Sequence, residues 1–225
     1  MFPELKVEFF NNFSNPASAE FNMAFDEALL HRKNVPWLRL YKWQQITSSI
    51  GYFMPSANRD EDGMPWVRRW TGGGLVTHGQ PDETTFSLGM PDPFVIQQSS
   101  SRIYYREIHK RVQDVLMQQG FSCQIIHNES SAQGDLVCFE RAVSSDLVHP
   151  DSGQKIVGGA LRRTREGLLY QGSIQCLNLP ENFGLELAAS LALDVEELKI
   201  SSEVEELAGV LAIDKYSSPE WKYAR

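Results

Sequence analysis

Cysteine is scarce in this sequence, whose 225 residues include only Cys123, Cys138 and Cys176. An odd and sparse set of this kind excludes a disulfide framework and is typical of free thiols in a reducing compartment. The sequence also lacks an apolar run of membrane-spanning length, and residues 1–6 lack the apolar core of a signal peptide. We therefore expect a cytoplasmic protein in which each cysteine has a separate role.

Positive charge is also in short supply, with 21 Lys and Arg against 29 Asp and Glu and a formal charge of −8. Binding to nucleic acid or to anionic membranes depends on clustered positive charge, so neither is an expected partner. The local basic residues either form a solvated face or attract an acidic carrier domain. These residues are Arg102, Arg106, Lys110, Arg111, Arg162, Arg163 and Arg165.

The sequence also lacks a metal-binding motif. The five histidines form no recognised pattern, and the pair Cys123 and His127 lacks the two further spaced ligands that a structural zinc needs. We predict no metal site.

Hydrophobic periodicity predicts two long helices. The first spans about residues 18–32, with Ser18 as its N-cap. The second opens at residues 99–101 and ends before Gly120, which stands at the C′ position. The apolar stripe of the second helix is Ile103, Tyr104, Ile108, Val112, Val115 and Leu116.

Alternating hydrophobicity and turn residues predict the strands. Segments 37–43 and 48–53 are expected to pair with each other, and segments 155–163 and 168–175 to form a hairpin. The sequence from residue 180 onward is typical of short acidic helices, and the order of elements predicts an α+β fold. Shorter strands are predicted at 67–70, 84–90, 121–126 and 136–139.

The most informative segment is Arg-Arg-Trp-Thr-Gly-Gly-Gly-Leu-Val-Thr-His, residues 68–78. Its three glycines let the backbone approach an anionic ligand without interference from Cβ atoms, and the guanidinium groups of Arg68 and Arg69 can bind that ligand bidentately. A small acyl phosphate or carboxylate suits such a loop. A tight surface turn has the same glycines, and His78 either lies near a site or stabilises the turn.

Cys138 and Lys155 are the candidates for nucleophilic chemistry. A lysine ammonium folded against a thiol lowers the thiol pKa and can shuttle a proton. The competing interpretation makes Cys138 a small buried hydrophobe and Lys155 an ordinary strand lysine. Small residues follow Lys155 at positions 158–160, so a narrow slot beside its charge would suit a carboxylate or phosphoryl oxygen next to an aliphatic chain.

Four ordered blocks of the sequence resemble the lipoate-protein ligase and octanoyltransferase family, which lies within the biotin/lipoyl ligase superfamily. The resemblance implies one α+β catalytic domain with a central mixed or antiparallel sheet flanked by helices, a core at about residues 15–178 and a helical tail at 179–225. A groove in the sheet would take an octanoyl or lipoyl chain. The blocks are residues 21–30, 38–43 with 49–53, 68–78, and 155–160 with 170–174.

The resemblance also implies roles for individual residues. Arg69 and residues 74–77 would contact the activated acyl group or a nucleotide, and Lys155 would hold the carboxyl end of the acyl chain. Cys138, followed by Phe139, is similar to the nucleophile segment of one octanoyltransferase branch. The candidate catalytic residues are thus Cys138 and Lys155, and the candidate substrate-binding residues are Arg69, Gly72, Gly73, Gly74, Leu75, Val76, Thr77, His78, Gly158, Gly159 and Ala160.

Three functions stay open at this point. An octanoyltransferase would take octanoate from acyl carrier protein, or another octanoylated carrier, through a Cys138 thioester and would need no cofactor. A lipoate-protein ligase would activate free lipoate with ATP and Mg²⁺, with Cys138 incidental, and a non-catalytic homologue would only bind an acyl group or a carrier. For either enzyme the acceptor is a lysine on the lipoyl domain of a 2-oxoacid dehydrogenase or on the glycine cleavage H protein. The sequence ends before the accessory domain that many ligases carry, which favours the transferase.

Overall fold

The computed structural model describes residues 2–57, 63–92, 99–127 and 143–224. Its strands form two sheets. The larger has eight strands in the order β11-β1-β2-β6-β10-β9-β8-β7, and the smaller has three in the order β4-β3-β5. The strands are β1 (Phe2–Ala17), β2 (Trp37–Trp43), β3 (Thr47–Ile50), β4 (Trp66–Arg68), β5 (Val76–His78), β6 (Thr84–Pro91), β7 (Gln124–Ile125), β8 (Leu147–Val148), β9 (Lys155–Arg163), β10 (Gly167–Ile174) and β11 (Ala192–Glu197).

The helices are α1 (Ala19–Arg32), α2 (Ser101–Gln118), α3 (Phe183–Leu191), α4 (Ser202–Leu211) and α5 (Pro219–Lys222), with a π-helical turn at Ala212–Tyr216. In the large sheet β1 pairs in parallel with both β11 and β2, whereas the remaining pairs are antiparallel. The predicted mixed sheet with flanking helices is therefore confirmed.

Strand β2 shows why helices cover both faces of the large sheet. Its side chains alternate, so Leu38 and Leu40 join the core cluster that contains α2 and α3. Trp37 packs in the cluster of α1 and α4 on the other face. The strand is apolar on both sides apart from Arg39, whose guanidinium pairs with Asp26 of α1 at 2.7 Å, and the half-buried Lys42.

Several local predictions are confirmed. Ser18 caps α1, because its hydroxyl oxygen accepts a hydrogen bond from the Phe21 N–H at 3.2 Å. Helix α2 ends where Gly120 adopts a positive φ of 87°, as a C′ glycine does. The hairpin of β9 and β10 also forms as predicted.

Other predictions are wrong. Segments 37–43 and 48–53 do not pair: β2 lies between β1 and β6, both of its edges are occupied, and the chain crosses into the small sheet at β3. The strand expected at 121–126 is reduced to Gln124–Ile125, and Ile103 of the predicted apolar stripe is 42% exposed. Strands β1 and β11 were not predicted, and the strand expected at 136–139 lies outside the described residues.

Candidate active site

A pocket is lined by residues from both sheets and from α1. The empty space within it amounts to about 430 Å³, a volume that includes space open to solvent. Its lining residues are Met23, Tyr41, Trp43, Ser49, Arg69, Val76, His78, Thr85, Lys155, Gly158, Gly159, Ala160, Gln171, Gly172 and Ser173.

The glycine loop folds around the guanidinium of Arg69. One terminal nitrogen, Nη2, donates to the carbonyls of Gly72 and Gly74 at 2.8 and 2.7 Å. The other, Nη1, donates to the carbonyl and hydroxyl oxygens of Ser49 at 2.9 and 3.0 Å. Arg69 therefore fixes the shape of the loop and at the same time lines the pocket.

Backbone geometry explains two of the glycines around this loop, one by its φ angle and the other by close packing. Gly73 has a φ of 83°, in the left-handed region that favours glycine. A Cβ atom on Gly51 would lie 1.9 Å from the Gly73 carbonyl oxygen, so the loop needs a glycine beneath it. The strand β3 and the loop are in direct backbone contact as a result.

Arg68 does not bind a ligand in the way that the sequence suggested. Its side chain is completely buried, and Nη1 donates to the carbonyls of Gly51, Tyr52 and Met54 at 3.2, 3.2 and 2.6 Å. Its Nε donates to carbonyls of the C-terminal helix α5. Strand alternation turns Arg68 away from the pocket and Arg69 toward it, so only one of the two arginines faces the pocket.

His78 lies on the pocket wall within a buried hydrogen-bonded chain. Its Nδ1 is 3.1 Å from Glu83 Oε1, its Nε2 is 2.8 Å from Ser49 Oγ, and its ring stacks on Trp43 with 4.2 Å between centroids. Since Ser49 also accepts from Arg69, the chain connects Glu83 through His78 and Ser49 to the glycine loop.

Glu83 ends this chain and is ionised. Burial opposes its charged form, but the hydrogen bond and charge of His78, together with the hydroxyls of Thr85 and Ser173, outweigh burial and lower its pKa. Neither Glu83 nor Ser49 was singled out from the sequence. Glu83 lies five residues after His78, immediately before β6. This spacing indicates a contact between the two side chains only when the turn between them is known.

Lys155 stands at the start of β9 with its side chain 5% exposed. Its Nζ is 2.8 Å from Oδ2 of Asp146, a carboxylate that is completely buried. The wall next to it is formed by Gly158, Gly159 and Ala160, as the small residues suggested. A Cβ on Gly159 would lie 2.3 Å from the Tyr170 hydroxyl, so the close approach of these two strands requires glycine there.

The predicted site residues divide into three sets. The structure brings Arg69, Val76, His78, Lys155 and residues 158–160 together around one pocket. Gly72, Gly73 and Gly74 form the loop that Arg69 holds, Leu75 packs against the small cluster of Ile50, Met54 and Trp66, and the Thr77 carbonyl accepts from Gln175 at 2.9 Å. Cys138 lies outside the described residues.

The other two thiols have environments that disfavour a thiolate. Burial, followed by the charge of Asp114, raises the pKa of Cys123 to about 11. Burial and the charge of Asp82 raise the pKa of the exposed Cys176. Neither cysteine lines the pocket.

Gln171 was also not singled out as a site residue. It lines the pocket, donates to Asp26 Oδ2 at 2.8 Å and accepts from Thr71 Oγ1 at 2.7 Å. It therefore links the buried Asp26–Arg39 pair to the segment that leads into the glycine loop. The predicted hairpin strand 168–175 and the block 170–174 both included this residue, but neither marked it as part of the site.

Two features are absent from the residues that the structure describes. Within residues 2–57, 63–92, 99–127 and 143–224, no helix combines the length and apolar character needed to cross a membrane. The same ranges hold no group of three or more His, Cys, Asp or Glu side chains arranged to hold a metal ion.

The two sheets, the arginine-held glycine loop and the lysine at the start of the hairpin define a lipoyl protein ligase A/B catalytic domain, and the chain belongs to that family, whose model matches residues 18–212. Among curated relatives, Octanoyltransferase LipM of Oceanobacillus iheyensis is 36% identical over 171 residues, which are 72% of this chain. The alignment spans 61% of that relative's length, less than two thirds.

Solved structures agree on the fold. The protein Ta0514 from T. acidophilum, with bound lipoic acid, has a TM-score of 0.75 at 19% identity and covers 98% of this chain and 99% of its own. Lipoate-protein ligase A bound with ATP has a TM-score of 0.71 at 20% identity and covers 98% of each chain. At these identities the comparison establishes the α+β architecture.

Proposed function

We propose that this protein is an octanoyltransferase of protein lipoylation, which moves an octanoyl group from an octanoylated acyl carrier protein to a lysine of a lipoyl carrier domain. The observation that carries the proposal is the buried Lys155 ammonium at the edge of a slot walled by Gly158, Gly159 and Ala160. Relatives named octanoyltransferase at 31–36% identity support the same reaction. The cytoplasm, where thiols stay reduced, is its proposed location.

The first chemical step is acylation of Cys138. Its thiolate attacks the carbonyl carbon of the donor thioester, the bond from that carbon to the donor sulfur breaks, and the donor thiol leaves with a proton. The Lys155 ammonium stabilises the negative charge that develops on the carbonyl oxygen and favours the thiolate of Cys138. An S-octanoyl cysteine is the product.

The second step transfers the acyl group to the acceptor. The neutral amine of the acceptor lysine attacks the Cys138 thioester, an amide bond forms and the carbon–sulfur bond breaks. The proton that the amine nitrogen loses passes to solvent, and the Cys138 thiolate is restored. The slot orients the acyl carbonyl for both steps, and a well-oriented attack gains much of the rate enhancement. The proposed acceptors are the lipoyl domain of a 2-oxoacid dehydrogenase and the glycine cleavage H protein.

Chain connectivity supports the assignment of Cys138. Val143 follows Cys138 by five positions, and its N–H donates to Asp146 Oδ2 at 2.7 Å, the oxygen that also binds Lys155. Because five extended residues span at most about 18 Å, the covalent chain lets a thiol at position 138 reach the lysine.

A ligase reaction would instead require ATP and Mg²⁺. A Cβ on Gly72 would meet nothing within 4 Å, so open space borders the loop at this residue. Gly72 to Gly74 and Lys155 are the residues that would hold the nucleotide, which would supply activation of the carboxylate. The donor test below distinguishes the two reactions.

The test offers the purified protein two donors, octanoyl-acyl carrier protein alone and lipoate with ATP and Mg²⁺, each with a lipoyl domain as acceptor. We expect octanoyl-lipoyl domain, detected by intact mass, with the first donor and loss of that product in Cys138→Ser. Cys123→Ser is the matched control and should retain transfer. Product formed only with ATP, and still formed by Cys138→Ser, would establish the ligase. Binding of acyl groups without either product would indicate a non-catalytic protein.

A further inference from the structure

We propose that Asp146 is a positioning residue that holds Lys155 in its charged form and directs its ammonium to the acyl slot. This inference rests on the proposed acyl transfer for its kinetic consequence, whereas its effect on Lys155 itself does not depend on that function. Asp146 lies in the turn before β8 and has no exposed surface.

Each carboxylate oxygen of Asp146 has a defined partner. Oδ2 contacts Lys155 Nζ at 2.8 Å and accepts from the Val143 N–H at 2.7 Å. Oδ1 accepts from the hydroxyl of Tyr105, which lies on α2. The carboxylate is therefore held from two directions, and the position of the ammonium is set by a rigid group.

The same network reaches the wall of the slot. While donating to Asp146, the Tyr105 hydroxyl accepts a hydrogen bond from the Gly159 N–H at 3.1 Å. Asp146 consequently connects the ammonium of Lys155 with the backbone that lines the acyl slot four residues later. The Asp146 carboxylate thus links the position of the Lys155 ammonium to the position of the slot wall at Gly159.

Three titratable side chains near Asp146 are neutral. Burial, followed by the charge of Asp146, raises the pKa of both Tyr105 and Tyr170 well above its usual range, so both are neutral. Burial lowers the pKa of His109 to about 4, which makes it neutral at pH 7. Removing the Asp146 charge would take away a carboxylate that stabilises the buried Lys155 ammonium, and burial favours the uncharged amine.

This charge pattern predicts a specific kinetic effect. Without its carboxylate, Lys155 loses its proton at lower pH and stabilises the developing oxyanion less well. Binding of the octanoyl chain depends on the apolar slot, which remains. The rate of transfer should fall while the KM for the acyl donor changes little.

The experiment compares Asp146→Asn with Asp151→Asn, an exposed aspartate in the turn before Lys155, in the octanoyl transfer assay from pH 6 to 10. We expect Asp146→Asn to lower kcat about 100-fold, in the range found for loss of one oxyanion donor, with KM within twofold. The alkaline limb of its pH profile should move to lower pH. Asp146→Glu should restore part of the rate, and Asp151→Asn should match the wild type.

A second readout separates this inference from the proposed function. The rate at which an amine reagent labels Lys155, followed by peptide mass spectrometry, should rise at lower pH in Asp146→Asn than in the wild type. That measurement needs no transfer activity. Should Asp146→Asn fail to fold, Asp146→Ser, which removes the same carboxylate, serves in its place with a shift in the same direction. An unchanged labelling profile and an unchanged pH profile in the folded variant would overturn the inference.

Discussion

The two walls of the pocket use their positive charges differently. On the wall next to the small sheet, the Arg69 guanidinium makes four hydrogen bonds to Ser49, Gly72 and Gly74, all of them to the protein. On the wall formed by β9, the Lys155 ammonium pairs with Asp146 at the edge of a slot lined by small residues. The first charge organises a backbone loop, whereas the second is paired with a buried carboxylate.

This difference follows from the geometry of the two side chains. A guanidinium is a planar fork that binds several acceptors at once, and so it organises backbone carbonyls, whereas an ammonium acts as a compact point charge. The expectation that the arginine pair accepts the anion is accordingly wrong for Arg68. For Arg69, which lines the pocket, contact with the substrate stays a prediction, and the variants below test how it holds the loop.

The largest expected effect is that of Lys155→Met. Loss of the ammonium should lower octanoyl transfer by about 10²- to 10³-fold, the usual cost of removing a group that stabilises an oxyanion. It should also destabilise the fold by about 3–5 kcal/mol, because Asp146 is left as a buried charge. Transfer kinetics and urea unfolding measure the two effects.

The double variant Lys155→Met with Asp146→Asn sharpens this prediction. It should recover much of the lost stability without recovering transfer, since no unpaired charge is left in the interior. Recovery of activity in the double variant would show that Lys155 has no catalytic role.

The next effect concerns the loop. Arg69→Lys keeps the charge but loses the fork, so the carbonyls of Gly72 and Gly74 lose their shared donor. We expect a stability loss of about 2–3 kcal/mol and a raised KM for the acyl donor. A variant with unchanged stability and a lowered kcat alone would mean that Arg69 acts on the reacting atoms and not through the loop.

Gly51→Ala tests the same wall without touching any charge. Its Cβ would lie 1.9 Å from the Gly73 carbonyl oxygen, so the loop must shift, at a cost of about 1–3 kcal/mol. Gly72→Ala is the matched control, because its Cβ would meet nothing within 4 Å. Equal melting temperatures for the two variants would refute the packing of the loop on β3.

The smallest effect is expected from the buried chain that ends at Glu83, and it is seen in how stability depends on pH. Since the folded-state pKa of Glu83 is lowered from 4.5, its stabilising contribution is present above that value and is lost as the pH falls through the folded-state pKa. Glu83→Gln should therefore flatten the decline of the free energy of unfolding below about pH 4.5, measured by denaturant titration against pH. If the free energy of unfolding of the variant declines as steeply as that of the wild type, other carboxylates cause the decline.

Local sequence signals predicted the parts of this fold that depend on local chemistry. Ser18 begins α1, Gly120 ends α2, and the turn after Arg163 forms the hairpin, because caps and turns are determined within a few residues. The pairing of segments 37–43 and 48–53 was predicted from proximity alone. It failed because β1 and β6 compete for the same edges of β2.

The site was only partly predictable, because some of its contacts join segments that are distant in the sequence. Arg69, His78 and Lys155 stand in motifs with a recognisable composition, and the structure places all three on one pocket. Asp146 and Glu83 act through partners that lie on other elements, and no local pattern marks a carboxylate that becomes buried by folding. Strand β11 was missed because its acidic residues lie on the exposed edge of the sheet, where alternation of apolar residues is weak.

The most direct measurement is the site of acylation. The protein is mixed with octanoyl-acyl carrier protein in the absence of ATP and of any acceptor, quenched in acid, and mapped by peptide mass spectrometry. The predicted result is a single octanoyl thioester on Cys138, which disappears on addition of a lipoyl domain and is greatly reduced in Lys155→Met. An octanoyl group on Cys123 or Cys176, or transfer to the lipoyl domain with no acyl-enzyme at any cysteine, would contradict a Cys138 thioester mechanism.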